Sequence, residues 1–133
     1  MATLIDTSVL IAIERGQIDP RLLAGEDDEE EVAIAAITAS ELLHGVHRLR
    51  GAVARTRAER FVEALLAAIP VVPFDLEIAR VHARLDAELS ARGAAVADAD
   101  LMIAATAVWL DYRVVTRGLR SFPRIKGLDV VRW

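Results

Sequence analysis

Leu4-Ile5-Asp6-Thr7-Ser8-Val9-Leu10-Ile11-Ala12-Ile13 begins with two apolar residues, passes through an acid and two hydroxyls, and continues apolar. Leu4 and Ile5, after Thr3, form a run too short for a helix and predict a buried strand. Thr7 and Ser8 offer a helix cap, and Val9 to Ile13 predict a helix closed at Gly16. The same alternation recurs outward from this stretch. Val32 to Ile37 predict a second buried strand, and Thr38-Ala39-Ser40-Glu41 matches a capping box that opens a helix running to about Leu49. A third helix is expected from Val53 to Ala68, a strand stub at Val71 and Val72, and a helix after Asp75 with Ile78, Val81, Leu85 and Leu89 at helical spacing. Asp98 begins a helix whose Leu101 to Leu110 are apolar on nearly every side, which predicts a central position. Arg113 to Thr116 and Leu128 to Val131 complete the strands, and Gln17 to Glu31, with Pro20 and Gly25, predict a surface loop carrying one turn near Arg21 to Ala24. Short, continuous apolar strands alternating with helices imply the α/β class: a parallel central sheet with helices on both faces, in one domain spanning residues 1–133.

A chain of 133 residues that is 54% hydrophobic fills one core. Its longest uncharged run, Ala64 to Phe74, is eleven residues with two prolines, against roughly 18 for a bilayer-spanning helix, so no membrane segment is expected. Asp6 precedes any basic residue, so the start lacks the positive region of a secretory signal, and the chain is expected to act in the cytoplasm. With no cysteine, neither a disulfide framework nor a thiolate site can form. The net charge of −4 is uneven: six of the twenty acids lie in Glu26 to Glu31, and the remainder carries 16 basic against 14 acidic residues. That mildly basic body is compatible with nucleic acid, and the acidic run is expected to be a solvated loop.

In a parallel sheet, ligands bind outside the carboxyl ends of the strands, which directs attention to the strand-to-helix junctions. Asp6, Glu41 and either Asp98 or Asp100 stand there, each in apolar surroundings, and no Lys or Arg lies within eight residues of Asp6. A buried aspartate without a partner is costly, and several carboxylates converging on one sheet edge would repel one another unless a hard divalent cation, Mg²⁺ or Mn²⁺, neutralised them. The plainer reading makes Glu41 part of a capping box with Thr38, and Asp98 and Asp100 first-turn acids that favour the helix dipole. Asp6 resists that reading, since Thr7 or Ser8 could cap the first helix without it.

Four stretches together carry a family resemblance: Leu-Ile-Asp-Thr-Ser-Val-Leu-Ile from Leu4, Thr-Ala-Ser-Glu-Leu-Leu-His-Gly-Val from Thr38, Asp-Leu-Met-Ile-Ala-Ala-Thr-Ala from Asp100, and Val-Val-Thr-Arg-Gly-Leu-Arg-Ser-Phe from Val114. With the closing Ile-Lys-Gly-Leu-Asp-Val from Ile125, the chain resembles the PIN domain of VapC-type toxins over essentially its whole length. The resemblance implies a metal-dependent endoribonuclease, the toxin half of a toxin–antitoxin pair, usually a homodimer inhibited by a VapB-type antitoxin. It implies 5′-phosphate and 3′-hydroxyl products. Carried across, Asp6, Glu41 and Asp100 match the metal-binding and catalytic acids; Asp98 could support them from behind or cap its helix, with Ser8 and Thr116 as hydroxyl partners. The chain departs from the pattern at Gly118 and Ser121, where many members carry further acids or amides. That puts a second metal in doubt.

An RNA backbone needs cations near this acidic edge. Arg48, Arg50, Arg55, Arg57 and Arg60 follow Glu41, and Arg113, Arg117, Arg120, Arg124 and Lys126 form a second group. Arg48, Arg50 and Arg117 are the candidates for RNA contact. His44 and His47 continue the spacing from Glu41 but lack the second copy that a di-iron bundle requires, so surface or partner contact is expected. A phosphatase using a phosphorylated Asp6 would want a second Asp where Ser8 stands, and a receiver domain paired acids before its aspartate, so both fit poorly. The remaining alternative is a non-catalytic RNA- or partner-binding module on the same scaffold, with the acids as caps.

Overall fold

The computed structural model describes residues 2–24 and 30–133. Five parallel strands, β1 (Thr3–Ile5), β2 (Val32–Ala35), β3 (Val71–Val72), β4 (Arg113–Thr116) and β5 (Val130–Arg132), form one sheet in the order β3-β2-β1-β4-β5. The helices are α1 (Thr7–Glu14), α2 (Ala36–Arg48), α3 (Ala52–Ala68), α4 (Leu76–Ala91) and α5 (Asp98–Leu110), with short 3₁₀ turns at Pro20–Ala24 and Phe122–Arg124.

Strand residues alternate between two cores, as a pleated sheet requires. Ile5, Ile34 and Val115 pack with α1, α2 and α3, while Leu4, Ala33, Ala35 and Val114 pack with α4 and α5. The parallel register aligns Leu4 with both Ala33 and Val114. Helix α5 is the central helix its composition predicts: Ile103, Ala104, Ala105 and Ala107 are wholly buried. The small alanines let it lie close to the sheet, and Gly93, at φ +64°, turns the chain out of α4 toward it.

One boundary differs in a way that bears on the site. Helix α2 starts at Ala36, directly after β2, with Ala35 as its cap residue and no side-chain cap bond. The capping box read at Thr38 and Glu41 therefore does not exist; both residues lie inside the helix. Alanine and isoleucine at 36 and 37 tolerate helical geometry, and the wholly buried Thr38 turns its hydroxyl toward α1.

Glu26 to Glu29 of the acidic run lie outside the described residues. Its last two acids are not merely solvated: Glu30 accepts from Arg113 Nη2 at 2.5 Å, and Glu31 from Tyr112 Oη at 2.9 Å.

Candidate active site

The chain lays down β1, moves outward to β2 and β3, then returns to the other side of β1 as β4. The order reverses between β1 and β4, and the crevice at the carboxyl ends of these two strands is where such sheets place ligands. Asp6 follows β1 directly, and Thr116 ends β4.

Asp6 stands at the cap position of α1, extended at φ −69° and ψ 148°, yet its carboxylate makes no cap bond. It reaches across the crevice instead. Thr116 Oγ1 donates to Asp6 Oδ2 at 2.9 Å, and Ser8 Oγ donates to the same oxygen at 2.5 Å. The backbone N–H groups of Gly118 and Arg117 donate to Thr116 Oγ1 and Ser8 Oγ, each at 3.1 Å, so both hydroxyls are held from behind. Asp6 is only 6% exposed, and no Lys, Arg or His among the described residues forms an ion pair with it.

Asp100 lies in the first turn of α5. Burial raises its carboxyl above the ordinary aspartate range; a hydrogen bond from the Ser121 hydroxyl pulls the other way, and the charge of Asp6 adds to the rise. Glu41, on the exposed side of α2, accepts a hydrogen bond from Thr7 Oγ1 at 2.8 Å. Asp6 and Asp100 thus sense each other's charge, and Glu41 is tied to the residue that follows Asp6. Among the described residues no three His, Asp or Glu side chains converge closely enough to hold a metal ion as they stand. Asp98 neither caps α5, whose cap residue is Ala97, nor joins Asp6; it is largely exposed and lies 3.4 Å from His82 Nε2 on α4.

From Glu41 a groove of about 480 Å³ runs between α1, α2 and α3, lined by Thr7, Glu14, Arg15, His44 and Arg48 among others. Arg48 therefore shares a surface with Glu41, and Arg117 adjoins Ser8 through its backbone. Arg50 is exposed beyond the end of α2. The second basic group divides: Arg113 is engaged with Glu30 and Thr3 at the opposite end of the sheet, and Arg124 donates to the Ala95 carbonyl. Sequence reasoning missed Thr7 as the partner of Glu41, Ser121 as that of Asp100, and Arg15 in the groove. The only signal for Thr7 was a second hydroxyl beside Asp6 that Ser8 made redundant as a cap.

The PIN domain family model matches residues 3–128. The chain belongs to the PIN-domain family. Ribonuclease VapC1 of Rickettsia felis is 31% identical over 131 residues, spanning 98% of this chain and 96% of that protein. The tRNA(fMet)-specific endonuclease VapC of Salmonella typhimurium is 32% identical over 102 residues, 77% of this chain and 75% of that one. In three dimensions this PIN domain superposes on a chain of the DNA-bound VapBC structure from Salmonella typhimurium with a TM-score of 0.87 at 28% identity, covering 100% and 98% of the two chains. A chain of the promoter-bound VapBC2 structure from Rickettsia felis gives 0.88 at 22% identity and shows the same fold.

Proposed function

We propose that this PIN-domain chain is an endoribonuclease that depends on Mg²⁺ or Mn²⁺, the toxin of a VapBC-type toxin–antitoxin pair. The carrying observation is the state of Asp6: buried, standing at a helix cap without capping, oriented by two hydroxyls on one oxygen, and without a cationic partner among the described residues. The ribonuclease reading is supported by VapC relatives of similar length. Solved VapBC structures of the same fold support a VapB-type antitoxin as partner. A homodimer acting in the cytoplasm completes the reading; no described helix is long and apolar enough to cross a membrane.

The donor set suits a hard divalent cation. Asp6, Glu41 and Asp100 offer only oxygen, and the raised carboxyl of Asp100 reflects burial and like charge that a cation would offset. When bound, the metal supplies Lewis acidity and a water made acidic enough to attack phosphorus near neutral pH. The chain's own residues do the rest. Ser8 and Thr116 fix Asp6 through Oδ2, and no hydrogen bond among the described residues takes up Oδ1, which a ligand could use. Thr7 restrains Glu41, and Ser121 restrains Asp100. Arg48, Arg50 and Arg117, all exposed, would meet phosphates along the RNA backbone. Asp98 is left as a surface partner of His82 rather than a support for the metal acids.

Purified protein incubated with structured RNA should cleave it when Mg²⁺ or Mn²⁺ is present and stop when EDTA is added. Cleavage that survives the chelator would remove the metal from the mechanism. RNA retained but never cut would favour the binding-module alternative.

A further inference from the structure

Thr38 is wholly buried, three residues before Glu41 on α2. Thr7 Oγ1 stands in donor geometry toward two acceptors, Thr38 Oγ1 at 3.1 Å and Glu41 Oε1 at 2.8 Å. Thr7 has one hydroxyl proton to give, and an ionised carboxylate can only accept. With the Thr7 proton on Glu41, the shorter contact, the two threonines keep their hydrogen bond only with Thr38 as its donor. A buried threonine deeper within a helix behaves differently: Thr106 Oγ1 donates to the carbonyl of Met102, four residues back, at 2.8 Å. Four residues before Thr38 is Ile34, still in β2 and ahead of the cap residue Ala35. Thr38 sits too early in its helix for the usual back-bond, so its hydroxyl is directed to α1.

We propose that Thr38 is a positioning residue for Glu41: its hydroxyl fixes the Thr7 rotor, which in turn holds the carboxylate against the start of α1, beside the residue that follows Asp6. The relay joins α2 to α1 through three side chains and narrows the rotamers open to Glu41, so less of its freedom is lost when the acids close on a cation. The inference rests on Glu41 being a metal ligand.

The test is Mn²⁺ titration of the full chain by calorimetry at fixed pH without RNA, paired with thermal melts. Thr38→Val keeps the shape and deletes the hydroxyl; Thr38→Ser keeps the hydroxyl and deletes a methyl. The relay predicts that Thr38→Val weakens Mn²⁺ binding about 10-fold while Thr38→Ser binds like the native chain, a size typical of partners that orient metal ligands. A packing role predicts the reverse order in the melts with affinity unchanged. In a Glu41→Gln background, Thr38→Val should cause no further loss of affinity. If Thr38→Val does not melt cooperatively, Thr7→Val carries the same expectation from the α1 side. Native-like affinity in Thr38→Val beside weakened affinity in Glu41→Gln would overturn the relay and leave Glu41 a ligand. Unchanged affinity in Glu41→Gln would overturn the ligand assignment and the relay together.

Discussion

Two aspartates stand at helix N-cap positions among the described residues and use them differently. Asp75 accepts from the backbone N–H of Ile78 at 2.9 Å and caps α4, whereas Asp6 leaves the α1 cap unmade and binds Ser8 and Thr116. Asp75→Ala should therefore cost about 1 kcal/mol in denaturant unfolding and leave RNA cleavage intact. Asp6→Asn should do the opposite. An amide oxygen still accepts from the two hydroxyls while an uncompensated buried charge disappears, so the melting temperature should hold or rise as cleavage falls about 100-fold or more. A large loss of stability in Asp6→Asn would make Asp6 a structural residue. Asp100 adds a pH signature. Its carboxyl is raised in the folded chain above the ordinary 3.8, so the folded state binds the proton more tightly than the unfolded state. That contribution to stability is complete below 3.8 and is lost as pH rises through the folded value. In EDTA, Asp100→Asn should thus gain stability on the native chain as pH rises through this window, and melts across the acid range would show a constant gap if the assignment were wrong. Asp6 and Asp100 could be read from the sequence because both are local: an acid after a strand and an acid opening an apolar helix. The hydroxyls of Thr7 and Ser121 could not, since what they touch lies 34 and 21 positions away and depends on how helices and loops meet.

Helix α5 shows what the elements contribute. It joins Asp100 to the middle of the core. Ile103 is fully buried and Trp109, on the same helix, is 48% exposed. Ile103→Ala should cost about 2–5 kcal/mol by urea unfolding. Trp109→Ala, beginning from a half-exposed position, should cost much less, and equal losses would contradict the central placement of α5. The existence and order of all five strands and five helices were legible in hydrophobic runs and their punctuation. The start of α2 was not. Thr-x-x-Glu matches a capping box by residue type, but Ala36 favours a helix and Ile37 a strand, so local preference does not fix the start, and Thr38 is bound to α1 from inside the helix. The last strand was shifted for a related reason. Leu128 is apolar because it packs beneath the sheet, while pairing with β4 along the strand itself begins only at Val130.

At the scale of the whole molecule, strand order brings together residues far apart in the chain. Residues 6 and 116 meet only because β4 returns beside β1, and the switch point then gathers acids that the fold itself does not neutralise. Charge follows the same division: Arg113 is bound to Glu30 at one end of the sheet, while Arg48 and Arg117 flank the acidic end. Sequence alone grouped Arg113 with Arg117 because they are neighbours, although a strand carries them to opposite ends. A cation that binds the folded chain alone must stabilise it, by about 2.7 kcal/mol at a hundredfold excess over its dissociation constant. Mg²⁺ should raise the melting temperature of the native chain and not that of Asp6→Asn. The most direct test of the account is a crystal soaked in Mn²⁺ and measured at the manganese absorption edge. It predicts one anomalous peak in the crevice between β1 and β4, contacted by Asp6, Asp100 and Glu41. A protein that cuts RNA in that same Mn²⁺ buffer yet shows no peak there, or a peak elsewhere, would contradict it.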